Sequence, residues 1–115
     1  MIPYGVPLSF ILILSVFLYA IGLYAMATKR NMIKFIIALE LLLDGAHLNF
    51  IAFSASWTKI YEAVPVSAVD PLAQAFVIIS ICIGGGVFAV GLAFIIRAYN
   101  KFGTLDIRKL SKLRH

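Results

Sequence analysis

The chain has 115 residues, 63% of them hydrophobic and 13% charged, with a formal net charge of +5 and a mean hydropathy of +1.02. Soluble domains carry about a quarter charged residues, so this is a membrane chain, with uncharged runs close to the roughly 20 residues that cross a ~30 Å hydrocarbon core. The runs are continuous, which excludes the alternating segments of a membrane β-barrel; Cys82 is the single cysteine, which excludes a disulfide scaffold; and the basic residues gather at span ends, where insertion topology accounts for them without nucleic acid.

The expected fold is all-α, a single membrane domain over residues 1–115 with three transmembrane helices. The first span covers about 6–28, and no charge precedes Lys29. Its leader, Met1-Ile2-Pro3-Tyr4-Gly5, lacks the basic n-region of a secretory signal, so the span is expected to be retained; Tyr19 and Tyr24 are candidates to face partners. The second span covers about 32–54. The third covers about 72–96, opened by Asp70-Pro71, a carboxylate and a first-turn proline suited to a helix N-terminus.

Three crossings put Lys29, Arg30, Lys34, Arg97, Lys101, Arg108, Lys109, Lys112 and Arg114 on one side, against Lys59, Glu62 and Asp70 on the other. The positive-inside rule then predicts an outside N-terminus and a cytoplasmic C-terminus in a multi-pass protein of the plasma membrane. Trp57 and Tyr61 fall where an outer aromatic belt belongs. In the tail, about 103–115, Ile107, Leu110 and Leu113 alternate with Arg108, Lys109 and Lys112, which predicts a short basic amphipathic helix for anionic headgroups or for a cytoplasmic partner.

The second span carries the chemistry. At 100° per residue Asp44 lies about 40° and His47 about 20° to either side of Glu40, so the three share one narrow stripe. Glu40 and Asp44 fall about 12 Å and 18 Å from Met32, bracketing the midplane. Two acids there cost roughly 5–7 kcal/mol, against about 5 kcal/mol returned by the apolar residues of the span. Such groups are functional candidates by default. Glu40 is expected to be the main ion-relay residue, with Asp44 and His47 as further relay groups and Lys34, near the surface, modulating ion occupancy. A structural network bonding neighbouring helices is the competing role.

The third span has no acid or base. Gly84, Gly85 and Gly86 are expected to allow close helix packing, with a local π-type irregularity that admits water near mid-membrane as the alternative, and Cys82 to act as a small buried apolar residue. The sequence shows no phosphate loop, metal-ligand cluster or nucleophile pattern, so no stand-alone enzyme is expected.

The run Lys29-Arg30-Asn31-Met32-Ile33-Lys34-Phe35-Ile36-Ile37-Ala38-Leu39-Glu40-Leu41-Leu42-Leu43, followed by Leu48-Asn49-Phe50-Ile51-Ala52-Phe53-Ser54, closely resembles the K subunit (NuoK) of complex I. The likeness continues through Val90-Gly91-Leu92-Ala93 and Gly103-Thr104-Leu105-Asp106. It implies three spans, the same orientation and a glutamate at Glu40 in the proton path. Two segments, Asp44-Gly45-Ala46-His47-Leu48 and Asp70-Pro71-Leu72-Ala73-Gln74-Ala75, resemble instead the C subunit (MrpC) of Mrp-type Na⁺/H⁺ antiporters. That subunit usually lacks the Glu40 acid, whereas the K subunit usually has a second glutamate where Val87 stands, so a two-glutamate relay does not carry over.

This mixture is similar to the corresponding subunit of membrane-bound hydrogenases and sulfane sulfur reductases. The resemblance implies a respiratory membrane-arm subunit helping to couple electron transfer to H⁺ or Na⁺ translocation, in a hetero-oligomer with antiporter-like and other small membrane subunits. It implies no cofactor in this chain, with iron–sulfur clusters or a nickel–iron centre in partner subunits. A C subunit of a free-standing Mrp antiporter and a purely structural linker are the alternatives.

Overall fold

The computed structural model describes residues 6–56 and 71–112. These residues form α1 (Leu8–Thr28), α2 (Met32–Ser56), α3 (Pro71–Phe102) and the short α4 (Ile107–Ser111). The first three are long and apolar enough to cross a membrane. The aromatic-belt residues Trp57 and Tyr61, the charges at Lys59, Glu62 and Asp70, the tail residues Leu113 and Arg114, and the leader Met1–Gly5 lie outside the described residues.

α1 and α2 meet through small side chains. Ser15 and Gly22 are the buried residues of α1, seven apart, and Ala38, Gly45 and Ala52 are buried on α2 at the same spacing. A seven-residue repeat keeps one seam facing a neighbour along a left-handed crossing. In a bilayer, where lipid tails are as apolar as leucine, close approach of backbones is what favours helix association. Gly22 shows how close: a Cβ there would stand 2.8 Å from the Leu42 side chain and 3.1 Å from the Ala38 carbonyl. At Gly45 it would stand 3.1 Å from the Tyr19 ring.

α3 packs on another side of α2, antiparallel and in steady register. Phe50 meets Phe76 with ring centroids 5.5 Å apart, His47 meets Ser80, a Cβ on Gly84 would touch Leu43, and one on Gly91 would stand 3.0 Å from Ile36. α2 is therefore the central helix, with α1 and α3 on different faces. The outward faces carry large exposed apolar side chains, among them Phe10, Val16 and Phe17 on α1 and Ile78, Ile81 and Phe94 on α3.

α3 continues well past the apolar run expected at about 72–96. Arg97, Ala98 and Lys101 are good helix formers with no glycine or proline among them, so the helix ends only at Gly103. That residue takes φ +68 and donates its N–H to the Tyr99 carbonyl at 2.7 Å, closing the C-terminus in the left-handed region that favours glycine. The chain then turns back to the α1–α2 loop. Met32 N–H donates to the Leu105 carbonyl at 3.1 Å and Ile107 N–H to the Arg30 carbonyl at 2.9 Å, a one-residue antiparallel bridge between Asn31 and Asp106. Both partners also cap helices: Asn31 accepts from Ile33 N–H at 2.9 Å, and Asp106 from Arg108 N–H at 2.9 Å.

Candidate functional site in the groove between α2 and α3

The register places the polar residues of α2 against α3. His47, Leu43, Glu40 and Ile36 recur at three- and four-residue spacing, the period of one helix face, and that face turns toward Ser80, Gly84, Val87 and Gly91. Because Gly84 and Gly91 carry no side chains, the helices leave a groove of about 540 Å³ between them. Glu40 and Ser80 are its polar lining residues, set among Ile36, Leu43, Val87 and Phe88. Glu40 itself is half-buried.

His47 lies at one end of this face, with 13% of its side chain exposed. Its Nε2 and Ser80 Oγ share a hydrogen bond of 2.8 Å across the helix boundary. Its Nδ1 is buried without a hydrogen-bond partner among the described residues and stands 3.9 Å from Asp44 Oδ1. Asp44, one turn from Glu40, is 56% exposed and is not among the residues that line the groove. The stripe thus divides: Glu40 and His47 face α3, while Asp44 opens outward beside the imidazole.

Lys34 sits elsewhere. It lines a separate pocket of about 350 Å³ at the end of α1 with Lys29, Arg30, Asn31 and Asp106. Six residues separate it from Glu40, which is roughly 9 Å along the helix and about 120° around it. The structure does not bring Lys34 and Glu40 together.

The glycines and tyrosines sort differently from their sequence pattern. Among the described residues nothing lies within 4 Å of a Cβ on Gly85 or Gly86, one on Gly84 makes only ordinary contact with Leu43, and the tight positions are Gly22, Gly45 and Gly91. Tyr19, expected to face partners, is half-buried: its ring covers Gly45, and its hydroxyl accepts from Asn49 Nδ2 at 3.3 Å. Tyr24 is exposed. Cys82, expected to be buried, is exposed on α3, because the side of α3 that packs on α2 is the one carrying Val77, Ser80, Gly84 and Gly91.

Ser80, His47 and Asp44 form a line that the sequence conceals, since 33 residues separate the serine from the histidine. It has the order of a hydrolase triad but sits mid-helix, where the serine N–H is committed to the helix ladder and cannot serve as an oxyanion donor. What the arrangement can do is accept, hold and release protons, or hold a cation at a carboxylate. Among the described residues no group of three His, Cys, Asp or Glu is placed to hold a metal ion.

A family model described as NADH-ubiquinone/plastoquinone oxidoreductase chain 4L matches residues 10–115. The chain belongs to this family. Among its chain 4L relatives, NADH-quinone oxidoreductase subunit K of Geobacillus sp. (strain WCH70) is 34% identical over 111 residues, covering 96% of this chain and 98% of the relative. The subunit K of Chromohalobacter salexigens is 32% identical over 110 residues, covering 96% and 97%. The chloroplastic NAD(P)H-quinone oxidoreductase subunit 4L of Chlorokybus atmophyticus is 32% identical over 107 residues, covering 93% and 97%. The chain 4L match covers nearly all of α1, the basic loop, α2, α3 and the bridge at Asp106, the bridge by which the Lys29-Arg30-Asn31 and Gly103–Asp106 segments, distant in sequence, meet in space.

Proposed function

We propose that this chain helps couple electron transfer to H⁺ or Na⁺ translocation in the membrane arm of a complex I-related oxidoreductase, with Glu40 as its main relay group. Its family makes it a small, multi-pass membrane subunit of a complex I-like NADH-quinone oxidoreductase. The observation that carries the finer reading is the placement of Glu40: a half-buried carboxylate in the wall of an interhelical groove, near the middle of an apolar span. A carboxylate kept there at a cost of about 2.5–3.5 kcal/mol is a functional group by default.

His47 and Asp44 extend the relay past Glu40, and Lys34 shapes the field at the basic end of α2. Gly85 and Gly86 are assigned to close packing against a neighbouring subunit, since their open faces are free to receive one. The redox centres, iron–sulfur clusters among them, belong to partner subunits. The reading extends to the hydrogenase or sulfane sulfur reductase branch on the resemblance of Asp44-Gly45-Ala46-His47-Leu48 to the antiporter C subunit within a chain that otherwise resembles the K subunit; in the structure Gly45 lies beneath Tyr19 and His47 bonds Ser80. The N-terminus is assigned to the outside, in keeping with the basic loop and α4 at one end of the molecule.

The test is Glu40→Gln in the assembled complex. Recovery of the complex on native gels should be unchanged while redox-driven ion uptake falls by about a hundredfold, the size of a lost acid–base group. Uptake at the parental rate would defeat the assignment of Glu40.

A further inference from the structure

We infer that Ser80 is the hydroxyl through which the relay crosses from α2 to α3, joining His47 to the groove that holds Glu40. The inference rests on the reading of Glu40 as a relay group and adds a residue on a helix that has no acid or base in its membrane span.

The first observation is what Ser80 does with its hydroxyl. Hydroxyls on helices commonly bond back to carbonyls of their own helix, and Thr28, Ser15, Ser56 and Ser111 do so here, at 2.7–2.8 Å. Ser80 instead shares its bond with His47 Nε2 on the neighbouring helix. The second is that Ser80 also lines the groove containing Glu40. The third is the state of the imidazole: its other nitrogen is buried, unpartnered among the described residues, and aimed toward Asp44 at 3.9 Å. A neutral imidazole has one donor and one acceptor nitrogen, so a ring bonded at Nε2 and free at Nδ1 is poised to pass a proton through itself.

The transfer balances. With hydrogen on Nε2, His47 donates to Ser80 Oγ, leaving the serine hydrogen directed to the groove. The Ser80 O–H bond breaks as its proton passes by way of water to the Glu40 carboxylate, and the Nε2–H proton moves onto Oγ. Nδ1 takes a proton from a protonated Asp44 carboxyl. Serine and histidine each gain one proton and lose one, and the net change is a proton moved from Asp44 to Glu40. A gap of 3.9 Å is bridged by one water or by rotation of the exposed Asp44 side chain. The groove is many times the ~30 Å³ share of a water molecule, and Glu40 and Ser80 supply polar partners.

The experiment compares Ser80→Ala and Ser80→Thr in membrane vesicles holding the assembled complex, reading redox-driven proton uptake with a pH-sensitive dye. Ser80→Ala is expected to slow uptake by about tenfold, the rate equivalent of one lost hydrogen bond, with complex recovery and electron transfer to an artificial acceptor unchanged. Ser80→Thr, which keeps the hydroxyl and adds bulk, is expected to retain most of the rate. Parental uptake in Ser80→Ala overturns the inference, as does a Ser80→Thr variant as slow as Ser80→Ala, which would tie the effect to packing. Should the alanine variant not assemble, Ser80→Cys, similar in size and a weaker donor, takes its place with the same expectation of slowed uptake. Glu40→Gln run in parallel separates the two readings: slow Glu40→Gln with normal Ser80→Ala overturns Ser80 alone, and normal Glu40→Gln overturns the reading beneath both.

Discussion

Gly22 and Gly86 look alike in sequence, each a glycine within an apolar run, yet they stand in opposite environments. At Gly22 a methyl group would collide with Leu42 and crowd the Ala38 carbonyl, while at Gly86 it would meet nothing within 4 Å among the described residues. Gly22→Val should therefore destabilise the α1–α2 pair by about 1–3 kcal/mol, the range for overpacking, seen as a lower thermal midpoint of the detergent-solubilised complex. Gly86→Ala should leave this chain's own packing intact and favour the helix by up to about 1 kcal/mol. Loss of assembly in Gly86→Ala would then locate a partner helix at that face; normal assembly would remove Gly86 from the packing role proposed for it. The Gly84–Gly86 run was conspicuous in sequence because three glycines are adjacent. The seam that closes α1 on α2 was not, because Ser15, Gly22, Ala38, Gly45 and Ala52 are small residues that hydropathy hardly registers. Their seven-residue spacing on two helices was the available signal.

At the scale of elements, helix type and number were legible because continuous apolar length leaves few alternatives in a bilayer. The stripe of Glu40, Asp44 and His47 was legible because it lies on one helix, where spacing alone fixes direction. The hydrogen bond from His47 to Ser80 depends on how α3 aligns with α2, and that register is set by contacts at Ile36, Leu43 and Phe50 that no local pattern announces. α3 outlasts the expected span for a related reason: hydropathy marks where the membrane ends, whereas the helix ends where Gly103 turns it. The bridge beyond Gly103 makes its own prediction. A side chain at φ +68 is disfavoured by roughly 1–2 kcal/mol for most residues, so Gly103→Val should loosen the return of α4 to the α1–α2 loop. Hydrogen exchange should accelerate at the Met32 and Ile107 amides, the two donors of the bridge, while the amides of the α1–α2 seam stay protected. Equal protection of all of them would show that the bridge does not depend on this turn.

For the whole molecule, the balance of burial points beyond a single chain. The seam and the α2–α3 register account for few large side chains, while Phe17, Ile21, Phe76, Val87 and Phe94 stay exposed. Lipid covers such residues at no cost, but it does not cover Asp44, 56% exposed on the central helix, nor a groove with a carboxylate in its wall. Unpaired polar groups facing hydrocarbon cost several kcal/mol each, so the open sides of Glu40 and Asp44 call for neighbouring subunits or a water-filled passage between them. Native membranes extracted in mild detergent should accordingly yield the tagged chain in a large assembly, with iron and acid-labile sulfide carried by other subunits. Nickel in that assembly would identify the hydrogenase branch, and a large assembly without iron would move the chain to an Mrp-type antiporter. Recovery of the chain alone and stable would mean that its own three helices satisfy the acids of α2, and the subunit reading would fall with it.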